Sequence, residues 1–425
     1  MSEITLKYGS TLITTTLSQT EYIDWVLPTS ISAENTPLTL VKQALDCCLG
    51  NIHAEKLNSS ATVAIAINDK TRPVPHSVLL PPLLDWLRHK GILPENIQFI
   101  IATGTHTPTK PEEYSLVLPD NLSDLYKVSS HNCKDDANLV HLGETKENHT
   151  PVLVNKDFYA ADYRIIVGNI EPHHFMGFSG GHKTASIGLT GMATIQANHS
   201  LLPYPNCTTG RYEDNPMRQD VEEIGKMIGV DLALNAILND HREIIEVLAG
   251  DPIEVIKSGI PVCQKVCQVP VSHQYDLVVA SAGGYPKDIN FYQAQKAMTH
   301  AAMITKDNGV LILAAECRDG SGSVGFESFM KGTSSPLNVL HKWSTTPFQI
   351  GPHKAFLTAR ILSRINVILV SNISPEIVRS WYMTPANSLQ DALSTAKEFL
   401  SKQSIQPTIA VIPNAVNTIP LLPLA

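Results

Sequence analysis

The sequence predicts an α/β protein of two domains with mainly parallel sheets. Three observations carry this: short continuous apolar runs, helical patterns lying between them, and a length of 425 residues, more than one compact core usually serves.

The runs cover residues 61–68, 98–104, 163–169, 276–281, 309–316, 366–371 and 408–412, each closing on Gly or a polar residue. Strands buried on both faces read this way, whereas half-exposed strands alternate. Helical patterns cover residues 78–90, 217–228, 252–267 and 389–402, with a break expected at Gly259 and Pro261. The last begins on Ser388 as N-cap with Asp391 three residues later. The first 17 residues alternate like a hairpin, and residues 344–352 are rich in turn formers. One group of strands ends near residue 238 and the next begins near 276, which places a boundary near 272. The expected domains are 1–272 and 273–425, the last strand being a candidate to return to the N-terminal domain.

A formal net charge of −8, with Lys and Arg scattered singly, argues against a nucleic-acid partner. No apolar run approaches the ~20 residues of a membrane span, and the start lacks a basic segment followed by an apolar one. The expectation is a cytoplasmic protein with no membrane partner. Seven cysteines without repeated spacing fit reduced thiols, and Cys263 and Cys267, one helical turn apart, read as packing.

In open α/β sheets ligands bind beyond the carboxyl ends of the strands, so the polar clusters after each run are the candidate site. After the first comes Asp69-Lys70-Thr71-Arg72-Pro73, where Pro73 forces Arg72 into an extended conformation that can aim its guanidinium at a carboxylate or phosphate. After the second, Ala102-Thr103-Gly104-Thr105 delivers His106, a side chain suited to proton transfer near neutrality. The third cluster runs from Glu171 to Thr184 and continues at Ala197-Asn198-His199-Ser200. It holds His173, His174, His182 and His199, four of the 16 histidines within 27 residues. Gly177, Gly180 and Gly181 allow close approach of a bulky ligand, Lys183 is a phosphate contact or an amine nucleophile, and His199 suits a metal such as nickel. The fourth, from Gly283 to Lys296, puts Tyr292, Gln293 and Lys296 on one side of a helix, a surface suited to a carboxylate. Each cluster taken singly also reads as a surface turn, a structural histidine or a solvated helix face.

Two other motifs fail on stated grounds. Gly177-x-Ser179-x-Gly181 has the spacing of a hydrolase nucleophile elbow, but seven residues separate it from the strand end at Asn169. Residues 177–184 approach a phosphate-binding loop, but His182 stands where that loop requires Gly.

Taken in order, DKTRPVP, ATGTH, EPHHFMGFSGGHK, ANHS and GGYPKDINFYQAQK resemble the signatures of the nickel-pincer lactate racemase family over nearly the whole chain. That resemblance implies two α/β domains with the active site in the cleft between them. It implies nickel held by a cofactor of the pyridinium-3,5-bisthiocarboxylic acid mononucleotide type, joined covalently to Lys183, with His199 as the protein ligand to the metal. By the same resemblance His106 and His173 are the acid/base pair on opposite faces of a 2-hydroxy acid. Arg72, Tyr292, Gln293 and Lys296 hold the substrate carboxylate and the cofactor, Asp69 and Thr71 support them, and Gly177, Gly180 and Gly181 admit the cofactor. One histidine takes the hydroxyl proton while hydride leaves for the cofactor; hydride can return to either face of the planar keto acid, with the proton supplied by the histidine on that side, and return to the opposite face inverts the carbon. Enzymes of cofactor biosynthesis are implied partners, and a homo-oligomer is compatible with the sequence.

Three departures bear on the substrate. His174 stands where lactate racemases carry an aromatic residue, His182 replaces the usual Arg before the Lys, and the Trp near the substrate is missing, with His353 the nearest aromatic. With His174 and His353 in the substrate pocket, a polar acid such as a sugar acid is expected over lactate or another short aliphatic acid. Two readings from other classes are a non-catalytic protein binding a nucleotide or acidic metabolite, and a zinc hydrolase using His173, His199 and a carboxylate.

Overall fold

The computed structural model describes residues 2–17, 22–72, 74–119, 121–346, 348, 351–401 and 407–423. The chain forms two units, one of residues 30–266 and one combining residues 1–29 with 267–425.

The first unit is built on a six-stranded sheet. Its order is Ile244–Gly250, Leu232–Leu238, Tyr163–Asn169, Val63–Asn68, Ile97–Ala102 and Lys127–Ser130, parallel except for the first pair. Val63, Ile65 and Ile67 pack with Phe99 and Ile165 against Leu79, Leu80, Leu83 and Leu87 of helix His76–His89. The strand Val63–Asn68 comes first in sequence. Its successors lie on one side and Tyr163–Asn169 on the other, so the strand order reverses between these two neighbours. A crevice opens at such a reversal, beyond the carboxyl ends.

Two expectations need correction here. The helix Pro252–Cys267 runs unbroken through Gly259 and Pro261. Gly259 is needed because a Cβ there would lie 2.2 Å from Ile170 Cδ1, and burial of Val255, Ile256 and Cys263 offsets the amide bond that Pro261 removes. Second, the strands of this half do not end at residue 238, because Ile244–Gly250 folds back as an antiparallel partner.

The second unit has an all-parallel sheet in the order Thr384–Ala386, Asn366–Val370, Thr305–Ala314, Tyr275–Ser281, Ile409–Ile412 and Ile23–Trp25. The expected hairpin forms as Ser2–Tyr8 against Thr11–Leu17, and its Ile4, Leu6 and Leu17 enter this unit's core with Leu277, Val279 and Leu393. The division therefore differs from 1–272 and 273–425. The last long strand stays in its own sheet, and it is the N-terminal strand Ile23–Trp25 that crosses over to cover its edge. Gln268–Pro270 pairs with Ile419–Leu421, which draws the boundary back to 266/267.

Ser388 caps helix Leu389–Ser401, its Oγ accepting from Asp391 N while the Asp391 carboxylate accepts from Asn387 N. In the expected loop, Pro347, Gln349 and Ile350 lie outside the described residues. None of the seven cysteines is in a disulfide. Among the described residues no helix is long and apolar enough to cross a membrane.

Candidate active site

Three loops leave the carboxyl ends of Val63–Asn68, Ile97–Ala102 and Tyr163–Asn169, which are consecutive neighbours in the sheet. In the first, Arg72 N donates to the Asp69 carbonyl and closes a turn, while Pro73 lies outside the described residues. Asp69 is buried, and its Oδ1 accepts from Thr71 N at 3.1 Å and Thr71 Oγ1 at 2.6 Å. Its Oδ2 takes His106 Nδ1 from the second loop at 2.6 Å. Burial alone would raise the Asp69 pKa, but the hydrogen bond and charge of His106, joined by the Thr71 donors, hold it below the ordinary range. An ionised carboxylate thus fixes one ring nitrogen of a half-exposed His106 and leaves Nε2 facing outward.

Arg72 Nη1 donates to Glu171 Oε1 at 3.2 Å. The sequence quoted Glu171 without assigning it. Here it ties the first loop to the third.

In the third loop Pro172–His173 pairs with Gly177–Phe178, an antiparallel ladder too short to read from sequence. His173 is buried, and its Nδ1 accepts from Met176 N at 3.2 Å, which leaves the proton of the neutral ring on Nε2. His174 stacks on it with ring centres 4.7 Å apart, and Phe175 stands edge-on to both His173 and His199. His199 closes helix Met192–His199, and burial, followed by the Lys183 charge, pushes its pKa down to about 3.

The three glycines are also required by the packing of the loop itself. A Cβ on Gly177 would lie 1.7 Å from Arg211 O, on Gly180 2.6 Å from Ile170 Cγ1, and on Gly181 3.0 Å from Arg218 Nη2. All three have positive φ, so the space in front of them is filled by the protein itself. The amides of Ser179 and Gly181 are likewise taken, by Glu171 O and Asn235 Oδ1. On that side the glycines make the loop possible and pack it down.

What holds that loop is helix Pro216–Ile228. Arg218, fully buried, donates to Phe178 O at 2.9 Å and Gly180 O at 3.0 Å, and pairs with Glu222 one turn on. Glu222 also takes His182 Nδ1 at 2.6 Å, and the His182 ring lies where a side chain on Gly225 would stand. Burial would raise Glu222, but the Arg218 charge and the His182 hydrogen bond bring it from 4.5 to about 2. A charged pair at i, i+4 on the apolar face of a helix was the available signal. Glu222→Gln, which breaks a buried pair, should destabilise the protein by ~3 to 5 kcal/mol in chemical denaturation. The lost stability is present in full above the ordinary glutamate pKa and in the wild type disappears as pH falls through about 2. The variant should therefore converge on wild type only in strong acid.

In the second unit Asn290 caps helix Phe291–Ala302, accepting from Gln293 N at 3.0 Å. Tyr292, Gln293 and Lys296 share one side as expected, with Lys296 Nζ 3.0 Å from Gln293 Oε1. His353 is buried, its Nδ1 accepting from Gly351 N at 3.1 Å and its ring edge-on to Tyr292. Two residues beside this group were not anticipated, Gln295 and Lys354, joined at 3.0 Å.

The profile of the lactate racemase N-terminal domain matches residues 8–210, and that of the lactate racemase C-terminal domain matches residues 271–419. The chain is 32% identical to a lactate racemase of Thermoanaerobacterium thermosaccharolyticum, with 99% of each chain covered. It is 30% identical to a lactate racemase of Lactiplantibacillus plantarum, covering 99% of this chain and 100% of that one. The solved lactate racemase apoprotein from T. thermosaccharolyticum superposes with a TM-score of 0.91 at 30% identity, covering 99% of this chain and 100% of that chain. A Thermotoga maritima protein at 16% identity and a TM-score of 0.66, over 92% of this chain and all of its own, shares the fold. With relatives of this identity aligned from end to end, the chain belongs to the lactate racemase family and is an isomerase of the racemase class.

Proposed function

We propose that this protein inverts the hydroxyl-bearing carbon of a 2-hydroxy acid with a nickel pincer nucleotide joined to Lys183. The observation that carries the reading is His106 held by a buried, ionised Asp69 where the strand order reverses, with Arg72 beside it and His173 on the neighbouring strand's loop.

The residues fit the cofactor by the chemistry of their donors. Among the described residues no three His, Cys, Asp or Glu side chains converge on a metal position. A metal held here therefore brings ligands of its own, as a pincer does, and needs little more than one neutral imidazole. His199, kept neutral by burial, supplies it. The same observation disfavours the zinc hydrolase. Lys183, which acts on His199 electrostatically, supplies the amine for attachment.

When bound, the nickel pincer supplies an acceptor and donor of hydride. The chain handles protons and position. His106, with Nδ1–H given to Asp69, presents the Nε2 lone pair to the hydroxyl, and the imidazolium that results is stabilised by the carboxylate. His173 is set differently, carrying its proton on Nε2. To take a second proton its Nδ1 must release the Met176 amide, so His173 is the member of the pair that moves during turnover. Glu171 occupies one guanidinium nitrogen of Arg72 and leaves the others to meet a carboxylate, while Tyr292, Gln293 and Lys296 are the anion contacts of their own unit. Unit 30–266 thus serves cofactor attachment and proton transfer, and the other unit serves anion contacts. The partners are the small acid and the enzymes that make the cofactor.

For the substrate we favour a polar acid, a sugar acid such as gluconate. The second reading, lactate or a short aliphatic acid, draws support from His174 and His353, which are buried against aromatic rings with His353 on a backbone amide. Incubating the cofactor-loaded enzyme with a panel of enantiopure 2-hydroxy acids and following inversion by chiral chromatography decides between them. Polar groups left unmet by lactate should disfavour it by ~1 to 3 kcal/mol, about five- to 150-fold in kcat/KM. If lactate exceeds every polyhydroxy and dicarboxylic acid tested, the polar preference is wrong. If none is inverted, the substrate lies outside both classes.

A further inference from the structure

Lys354 is the third residue of helix Pro352–Leu362 and is 1% exposed. Its ammonium donates to Gln295 Oε1 at 3.0 Å and stands over the Tyr292 ring, 4.6 Å from the centre. Among the described residues no carboxylate pairs with it. Gln295 is fully buried, and its Nε2 has no acceptor. Thr358, one turn along the helix from Lys354, is also fully buried, with an unpartnered Oγ1.

Burying an ammonium without an opposite charge is destabilising by several kcal/mol, and an apolar side chain of the same length would pack here at no such cost. Burial, reinforced by the like charge of Lys296, drives Lys354 well below the ordinary lysine range. A negative group held by Lys296 opposes both effects by favouring the charged form, so the anion and the Lys354 proton bind together. What Lys354 adds that an apolar residue cannot is positive potential behind Tyr292 and Lys296, in the first turn of a helix whose amides contribute the same sign.

We propose that Lys354 is a positioning residue of the anion site: from behind, it steadies the Tyr292 ring and supplies a second positive charge, tightening the hold of Tyr292, Gln293 and Lys296 on an anionic group. The inference rests on reading those three residues as anion contacts. The anionic group is either the carboxylate of the hydroxy acid or the phosphate of the mononucleotide.

The test compares Lys354→Met and Lys354→Gln with Lys296→Met. In the cofactor-loaded enzyme one measures KM, kcat and the Kd of oxalate. In protein made without the cofactor genes one measures the Kd of nicotinic acid mononucleotide, and melting is followed in both. Lys354→Met should raise KM and the oxalate Kd about tenfold, leave kcat within about twofold, and melt no lower than wild type. Lys354→Gln, which keeps a hydrogen-bonding end without the charge, should weaken binding to the same degree. A mononucleotide Kd that moves while the oxalate Kd does not would support the phosphate as the anion. Both variants melting lower with KM and both Kd values unchanged would show that Lys354 only packs, and the proposal would be wrong. If Lys296→Met also leaves all three unchanged, the anion-site reading itself fails.

Discussion

Lys183→Ala should yield a folded protein that carries no covalent cofactor and has lost essentially all racemisation. Lys183 opens a four-residue helical turn, and the loop before it is fastened by Arg218, Glu222 and Asn235. Truncating a half-exposed side chain there should change stability by less than about 1 kcal/mol. Coexpression with the cofactor-making enzymes, followed by intact-protein mass spectrometry, should give a mass increment on wild type and none on the variant. A fully active Lys183→Ala enzyme would sink the covalent reading, and a shifted melting curve would show that the lysine also holds the fold.

The second large effect concerns the histidine pair. Replacing His106 or His173 by Ala should lower turnover about 10²- to 10⁴-fold in both directions, since each cycle uses a proton donor on one face and an acceptor on the other. Asp69→Asn should approach the His106→Ala value while leaving the imidazole present. An amide in place of the Oδ2 carboxylate neither fixes the Nδ1–H tautomer nor stabilises the imidazolium. Wild-type rates in both alanine variants would refute the assignment. Nickel content measured on the same preparations separates roles, because loss of metal belongs to His199→Ala.

The sequence was most legible where physics acts locally. Apolar runs such as residues 61–68, 98–104 and 163–169 announced buried parallel strands, and the polar residues at their ends fell in the loops where Asp69, His106 and His173 lie. Pairing partners were less legible, because they depend on residues far along the chain. Nothing near Ile23 says that it will lie beside Ile409, and nothing near Asp69 says that its carboxylate will meet His106. The packing of the glycines was illegible for a related reason. Gly177 advertises room for something close by, but only the fold reveals that the close neighbour is the backbone of Arg211. Lys354 was invisible, since a lysine two residues after a proline at a helix start reads as solvated, and its burial is a tertiary fact.

The placing of residues 1–29 with residues 267–425 has a consequence for synthesis on the ribosome. The intervening unit contains every strand of its own sheet and can fold as soon as it emerges. Residues 1–29, made before it, cannot. Ile4, Leu6 and Leu17 belong to a core whose other half is made last, and Ile23–Trp25 docks on a strand that ends at residue 412 of 425. Residues 1–29 therefore wait, with Ile4, Leu6 and Leu17 unsheathed, until the residues up to 412 have been made. They are the part of the newborn chain that a holding chaperone would be expected to grip.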